Sequence, residues 1–296
     1  MSELFTLKNE YLTVEVSSHG AELQSIKDKK GQEYLWQGNK EYWGRRACFL
    51  FPIVGSLNHK ETIINGQTYH MNQHGFLRDQ EFELLNQTDN EISLVNYYNE
   101  ETLALYPFKY KIIITYSFKG AFLSVNTTIC NESNNIIPFN FGAHPGFICP
   151  MSEGEGFSDY YVRFEHHETF NSPAVAEGGL LDFSQANYSG TWMRKLPLTK
   201  ELFDIDTVTI PRPRSRSVQL LSNKSGKGIE LRFPGFNSFA IWSPRAEEAH
   251  FVCLEPWVGY ADKVGHDGQF IHKDSIVMLG SLQERNFEYL IRIIDK

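Results

Sequence analysis

The stretch Tyr110-Lys111-Ile112-Ile113-Ile114-Thr115-Tyr116-Ser117-Phe118-Lys119-Gly120-Ala121-Phe122-Leu123-Ser124-Val125-Asn126-Thr127-Thr128-Ile129 decides the fold class. Tyr110, Ile112, Ile114, Tyr116 and Phe118 recur at every second position, so they share one face of an extended chain. Lys119-Gly120 turns the chain, and Leu123, Val125, Thr127 and Ile129 line one face of the returning strand. The same pattern repeats outward. Residues 12–16 alternate before the turn Ser17-Ser18-His19-Gly20. Residues 82–85 and 92–97 flank the polar turn 86–90, and residues 218–221 and 229–233 flank the turn 223–228. Residues 287–294 are extended again. Helical periodicity is weak; the best short helical candidates are residues 101–106, ended by Pro107, and a turn around Ser184. No Pro/Gly/Ser linker divides the chain, and no short repeat recurs. Residues 1–296 therefore read as one all-β domain, a large antiparallel β-sandwich of two packed sheets. Residues 151–216 are the least regular and are expected to form an elaborated loop over a site.

Composition narrows the function. With 41% hydrophobic and 22% charged residues, the chain can bury a real core, which argues against disorder, collagen or coiled coil. A net charge of −8 repels polyanions and argues against nucleic acid or an anionic membrane as partner. Aromatic residues reach 14%; they favour pleated sheet, and their faces also stack on sugar rings. Cys48, Cys130, Cys149 and Cys253 are far apart, with no C-x-x-C pair for zinc or redox chemistry. They read as reduced and mostly buried, which fits a cytoplasmic location. Met1 to Lys8 lacks the basic start and apolar stretch of a signal peptide, and no apolar run approaches the ~20 residues of a membrane helix.

Four segments carry residues suited to chemistry. In Trp43-Gly44-Arg45-Arg46-Ala47-Cys48, either guanidinium could donate a fork of hydrogen bonds to neighbouring hydroxyls; the alternative is a solvent-facing pair at a strand start. In Gln73-His74-Gly75-Phe76-Leu77-Arg78, a histidine sits at a turn whose glycine permits close backbone approach, unless it is only a surface histidine. His70 and His74 have helical metal-ligand spacing, but their segment reads as turn and strand and no H-E-x-x-H occurs, so no metal is expected. In His144-Pro145-Gly146-Phe147, the proline holds His144 in an extended backbone, and apolar neighbours tune an imidazole suited to moving protons, or bury it as a core histidine. In Cys253-Leu254-Glu255-Pro256-Trp257, alternation puts Glu255 on the face of Phe251 and Cys253. A carboxylate there is costly unless paired or used, and otherwise points to solvent at the strand end. Arg212, Arg214 and Arg216 form a basic patch that could hold a phosphate or be a solvated loop. No G-x-S-x-G, phosphate-binding glycine loop or dinucleotide fingerprint occurs. The remaining set suits non-covalent acid–base work on a polyhydroxylated ligand.

Taken in order, Gly20-Ala21-Glu22-Leu23 with Ser25, Phe51-Pro52, His74-Gly75-Phe76, His144-Pro145-Gly146-Phe147 and Glu255-Pro256-Trp257 span nearly the whole chain. In them the sequence resembles the aldose 1-epimerase (galactose mutarotase) family, in particular its bacterial LacX-like branch. The resemblance implies the galactose mutarotase-like supersandwich, with a site in a cleft across one sheet. It implies interconversion of the α and β anomers of a free aldohexose such as galactose or glucose, with Glu255 as base, His144 as acid and His74 assisting. It also implies Asp206 and Arg46 (or Arg45) on sugar hydroxyls, with Arg78 and Trp257 as further substrate contacts; Asp204, two residues before Asp206 and on the same face of an extended 202–207 segment, is the alternative to Asp206. No cofactor is implied. The partner is a small aldose, and the chain is expected as a monomer or homodimer. The competing expectations are a hexose-6-phosphate mutarotase and a non-catalytic carbohydrate-binding or regulatory β-sandwich.

Overall fold

The structure, a computed structural model, describes residues 2–295; Met1 and Lys296, the ends of the expected domain, lie outside the described residues. The deciding hairpin forms as its alternation requires. Tyr110–Lys119 pairs antiparallel with Phe122–Asn131, Lys119 opposite Phe122, and Gly120 takes the left-handed φ of 61° that the tight turn needs. Tyr110, Ile112, Ile114 and Tyr116 are fully buried on the inner face, as are Leu123, Val125 and Ile129 opposite.

That hairpin lies in a nine-stranded sheet. From edge to edge its strands are Leu181–Pro197, Tyr160–Val175, Ser217–Ser222, Gly228–Arg232, Glu284–Ile294, Phe122–Asn131, Tyr110–Lys119, Glu91–Tyr97 and Glu83–Gln87. A five-stranded sheet packs on it, in the order Val208–Pro211, Ser238–Trp242, Phe251–Val258, Phe141–Ile148, Ala47–Leu50. Aromatic contacts join the two sheets: Phe141 stacks on Phe287 at 5.0 Å, and Phe51 meets Tyr110 edge-on at 5.2 Å. Such pairs add about 0.5–1.5 kcal/mol each beyond the area they bury. A three-stranded sheet of Leu4–Lys8, Leu12–Ser17 and Leu23–Asp28 closes one flank, where Tyr116 Oη donates to Ala21 O at 2.7 Å. The architecture is the large antiparallel β-sandwich that the alternation called for.

Local differences have local causes. The one α-helix among the described residues runs Glu100–Leu105, one residue earlier than expected. Asn99 caps it by accepting from Thr102 N–H, and Tyr106 is already extended because Pro107 disfavours a helical residue before it. Ser184 is not in a helical turn. It lies in the strand Leu181–Pro197, where pairing jumps from Pro173 opposite Ala186 to Ala174 opposite Asp182. Residues 183–185 bulge out between those pairs, and the Asp182 carboxylate accepts from Ser184 N–H and Oγ–H. The supposedly irregular region 151–216 contains the two longest strands of the molecule, Tyr160–Val175 and Leu181–Pro197. Four register shifts break their alternation, which hides them from a period-two reading. Residues 202–206 are not a strand either. A 3₁₀ turn, Glu201–Phe203, runs into left-handed Asp206, and the next strand starts at Val208, so Asp204 and Asp206 do not share a strand face. All four cysteines are free and buried. No helix among the described residues is long and apolar enough to cross a membrane.

Candidate active site

Alternation gives the five-stranded sheet two different faces. Phe49, Phe141, Ala143, Val252, Leu254, Phe239 and Ile241 enter the core against the larger sheet. Cys48, Leu50, His144, Glu255, Trp257, Ala240 and Trp242 project the other way. Register aligns that outer face into a row. Thr209 lies opposite Ala240, Ala240 opposite Glu255, and His144 opposite Cys48. Gly142 opposite Trp257 and Gly146 opposite Cys253 bracket His144 against Glu255. Between those two pairs Pro145 and Pro256 supply no N–H, and the ladder opens there.

Small residues on this face make room for rings. A Cβ on Gly142 would lie 2.7 Å from Trp257 Cδ1, and one on Gly146 would lie 3.0 Å from Trp43 Cζ3. Trp43 stacks on the His144 imidazole with centroids 4.7 Å apart, and Trp242 meets the same ring edge-on at 5.9 Å. The result is a cleft of about 300 Å³ lined by Trp43, Trp242 and Trp257, by His74, His144 and Glu255, and by Gln73, Arg78, Asp206, Thr207 and Thr209. That volume is at the small end of ligand pockets, ~300–1,000 Å³, and suits one sugar ring. The tip of the long hairpin, through Val175, Gly179 and Leu181, forms its apolar rim.

His144 Nε2 lies 3.1 Å from Glu255 Oε2. Both residues are buried, and His144 Nδ1, Glu255 Oε2 and Trp257 Nε1 have no hydrogen-bond partner in the protein. Burial pushes the Glu255 carboxyl well above its usual range, with the Asp206 charge adding to the effect and the Trp257 indole opposing it. Burial, reinforced by Arg78 and Arg45, pulls His144 down to about 3 against a smaller opposing backbone hydrogen bond. Both effects favour neutral forms: burial keeps a proton on the carboxyl and leaves the imidazole unprotonated.

His74 is set by an unusual turn. It has φ 68° and is followed by Gly75 at φ 72°. A Cβ on Gly75 would lie 2.1 Å from Phe51 O, so only glycine lets this turn lie against residues 51–52. His74 N–H donates to Gly55 O at 2.9 Å, and Gly55 N–H donates to His74 Nδ1 at 3.1 Å. Nδ1 is therefore an acceptor, and the ring proton sits on Nε2. Burial, then His144, Arg78 and Arg45, hold its pKa well below the usual histidine value, so the ring stays neutral.

The structure brings His74, Arg78, His144, Asp206, Glu255 and Trp257 to one cleft. It puts Arg46 and Arg45 elsewhere. Arg46 turns its guanidinium back onto Gln24 O at 2.6 Å, while Arg45 donates to Arg78 O at 3.2 Å and Asp79 Oδ1 at 2.6 Å. Arg45 thus braces the turn that carries Arg78. Asp204 lies outside the cleft and pairs with Arg245 at 2.7 Å. The early Glu22 accepts from Arg46 N–H and Ala47 N–H at 2.8 and 2.9 Å, anchoring the start of the strand that bears Cys48. Trp43, Trp242 and Thr209 were not singled out from sequence. Trp43 lay in a quoted segment, and Trp242 and Thr209 needed the strand register. His144, Cys253 and Glu255 offer ligand atoms within 4.8 Å of one another. Burial holds the Cys253 thiol far above its usual pKa, which disfavours the thiolate that a metal would need.

Known proteins share this architecture. The family described as aldose 1-epimerase matches residues 3–276. The chain is 36% identical to the chromosomal LacX protein of Lactococcus lactis subsp. lactis over 98% of its own length and 99% of that protein's. A solved galactose mutarotase related enzyme from Lactobacillus acidophilus superposes with a TM-score of 0.93 at 32% identity, over 99% of this chain and 98% of that one. A galactose mutarotase-like protein from Lactobacillus casei gives 0.92 at 28% identity, over 99% of this chain and all of that one. The chain belongs to the aldose 1-epimerase family, isomerases whose substrates are sugars.

Proposed function

We infer that this family member interconverts the α and β anomers of a free aldohexose such as galactose or glucose, acting as one mutarotase-like domain. The observation that carries the reading is the buried His144–Glu255 pair, 3.1 Å apart across adjacent strands and facing the cleft. Glu255 acts as base and removes the proton of the C1 hydroxyl. His144 acts as acid and protonates the ring oxygen as the C1–O bond to it breaks and C1 becomes an aldehyde. Rotation about C1–C2 presents the other carbonyl face, and the reverse steps close the second anomer. His74, held with Nε2–H outward from Gly55, donates to the ring oxygen or a neighbouring hydroxyl. Asp206, Arg78 and Trp257 hold the remaining hydroxyls and one face of the ring.

Two observations weigh against the competing readings. Arg78 is the one arginine or lysine lining the cleft among the described residues, and two carboxyl groups share the cleft with it. Arg212, Arg214 and Arg216 do not line it; the Arg216 guanidinium is taken up by Ser215 O at 2.9 Å and by Pro213 O. A phosphorylated hexose would thus meet little compensating charge. A purely binding sandwich needs polar partners for sugar hydroxyls but no buried acid–base pair held 3.1 Å apart in the cleft. Anomer exchange, followed by NMR or polarimetry with fresh α-D-glucose and α-D-galactose and their 6-phosphates, tests the reading. Saturable sugar binding without exchange would select the binding protein instead.

A further inference from the structure

Asp262 and Lys273 form a fully buried ion pair behind the cleft wall. Lys273 Nζ donates to Asp262 Oδ1 at 2.6 Å, each side chain is 1% exposed, and neither lines the cleft. Desolvation makes such pairs poor sources of net stability, so packing alone is a weak reason for this one.

Its hydrogen bonds point to a task. Asn58 N–H donates to Asp262 Oδ2 at 3.1 Å, Asp262 N–H donates to Ser56 O at 2.9 Å, and Leu181 N–H donates to Asp262 O at 2.9 Å. One residue thus ties together the 56–58 loop, the segment after the Glu255 strand and the tip of the long hairpin. His266 Nδ1 lies 3.7 Å from Oδ2 but accepts from Gly268 N–H at 3.1 Å, so Lys273 is the countercharge. Gly55 is wedged onto the same segment: a Cβ there would lie 2.5 Å from Ala261 Cβ. Gly55 is also the residue whose N–H fixes the tautomer of His74.

We propose that Asp262 is a positioning residue for His74: through Asn58, Ser56 and Gly55 it holds the N–H that keeps the imidazole protonated on Nε2 and free to donate into the cleft. Its catalytic consequence rests on the reading of His74 given above; the tautomer does not, and can be read without sugar.

The test uses ¹⁵N-imidazole NMR of the full chain, the His74 signal being assigned by its loss in His74→Asn. The Asp262→Ala/Lys273→Met variant removes the acceptor and leaves no unpaired buried charge. His74 should then move from the Nε2–H form towards a tautomer mixture, and kcat/KM should fall about tenfold. Asp262→Asn/Lys273→Met keeps an acceptor for Asn58 and should restore the wild-type tautomer and a rate within about threefold. In a His74→Asn background the Ala/Met pair should change kcat/KM by less than about twofold, because the effect runs through His74. An unchanged tautomer in the Ala/Met variant, or the full loss repeated in the His74→Asn background, overturns the proposal. If no form of the protein moves anomers, the tautomer comparison still decides.

Discussion

Glu255→Gln is the most direct perturbation of the cleft. The amide keeps the size of the carboxyl, and Glu255 is 1% exposed on a strand whose core contacts do not change. What disappears is a group that can take and return a proton. A positioned general base contributes ~10²–10⁴-fold, or about 2.7–5.4 kcal/mol of barrier at 1.36 kcal/mol per tenfold. Exchange between α- and β-D-galactose should fall by that factor towards the rate in buffer. Stability should move oppositely, and with a definite pH dependence. Burial raises the carboxyl's pKa in the folded state, so its contribution is present at acid pH and is lost as pH rises from the unfolded value, about 4.5, through the folded one. Glutamine carries no such penalty. The Tm of the variant relative to wild type should therefore climb as pH rises from about 4.5 towards neutrality. NMR exchange at saturating sugar and calorimetry across that range measure both. A variant that exchanges anomers within about threefold of wild type removes Glu255 from the chemistry, and a flat Tm difference refutes the buried-proton argument.

His144→Asn should cost a similar ~10²–10⁴-fold in kcat with the fold retained, and full activity would take the acid role from this residue. Since His144 is pulled down to about 3, a second proton joins the pair only in strong acid; kcat/KM at about pH 5 should match that at about pH 7 within roughly twofold, and an inflection near the ordinary ~6.5 refutes the assignment. Arg78→Lys should raise KM about tenfold by replacing a planar fork with a point charge, while Arg46→Lys stays within about twofold; the reverse ranking would return Arg46 to the cleft. Gly142→Ala puts a Cβ 2.7 Å from Trp257 Cδ1, so displacement of the indole should raise KM several-fold and cost about 1–3 kcal/mol, read by chemical denaturation.

The sequence was most readable where a local rule is sufficient. The alternation of residues 110–129 states a hairpin outright, and a proline after both His144 and Glu255 marks two extended backbones. What stayed hidden needed distance information. Trp242 and Thr209 join the site only because Ala240 lies between Glu255 and Thr209 across three strands. Arg45 and Arg46 look equivalent in sequence, yet one braces the Arg78 turn and the other reaches back to Gln24. The 160–197 hairpin escaped because bulges reset its period, although residues 175–209 do reach the cleft. The two-residue spacing of Asp204 and Asp206 suggests one strand face, but a left-handed φ of 72° breaks the extended chain at Asp206, which lines the cleft while Asp204 does not.

The protonation of the cleft connects its architecture to the proposed chemistry. Two prolines open the ladder beside His144 and Glu255, and three tryptophans line the cleft around them, so burial favours their neutral forms. On the proposed assignment the closed sugar is attacked by the opposite arrangement, carboxylate and imidazolium, reached by moving one proton across 3.1 Å. Ring opening then gives the C1 hydroxyl proton to Glu255 and takes one from His144, which returns the pair to the neutral forms that burial prefers. Neutral forms thus stand on both sides of the step, with the closed ring and with the open chain, and the ion pair exists only between them. Solvating this cleft, by shortening Trp43 or trimming the hairpin tip, should return both groups towards their ordinary pKa values, and kcat/KM should then gain a pH dependence between about pH 4 and pH 7 that the wild type lacks.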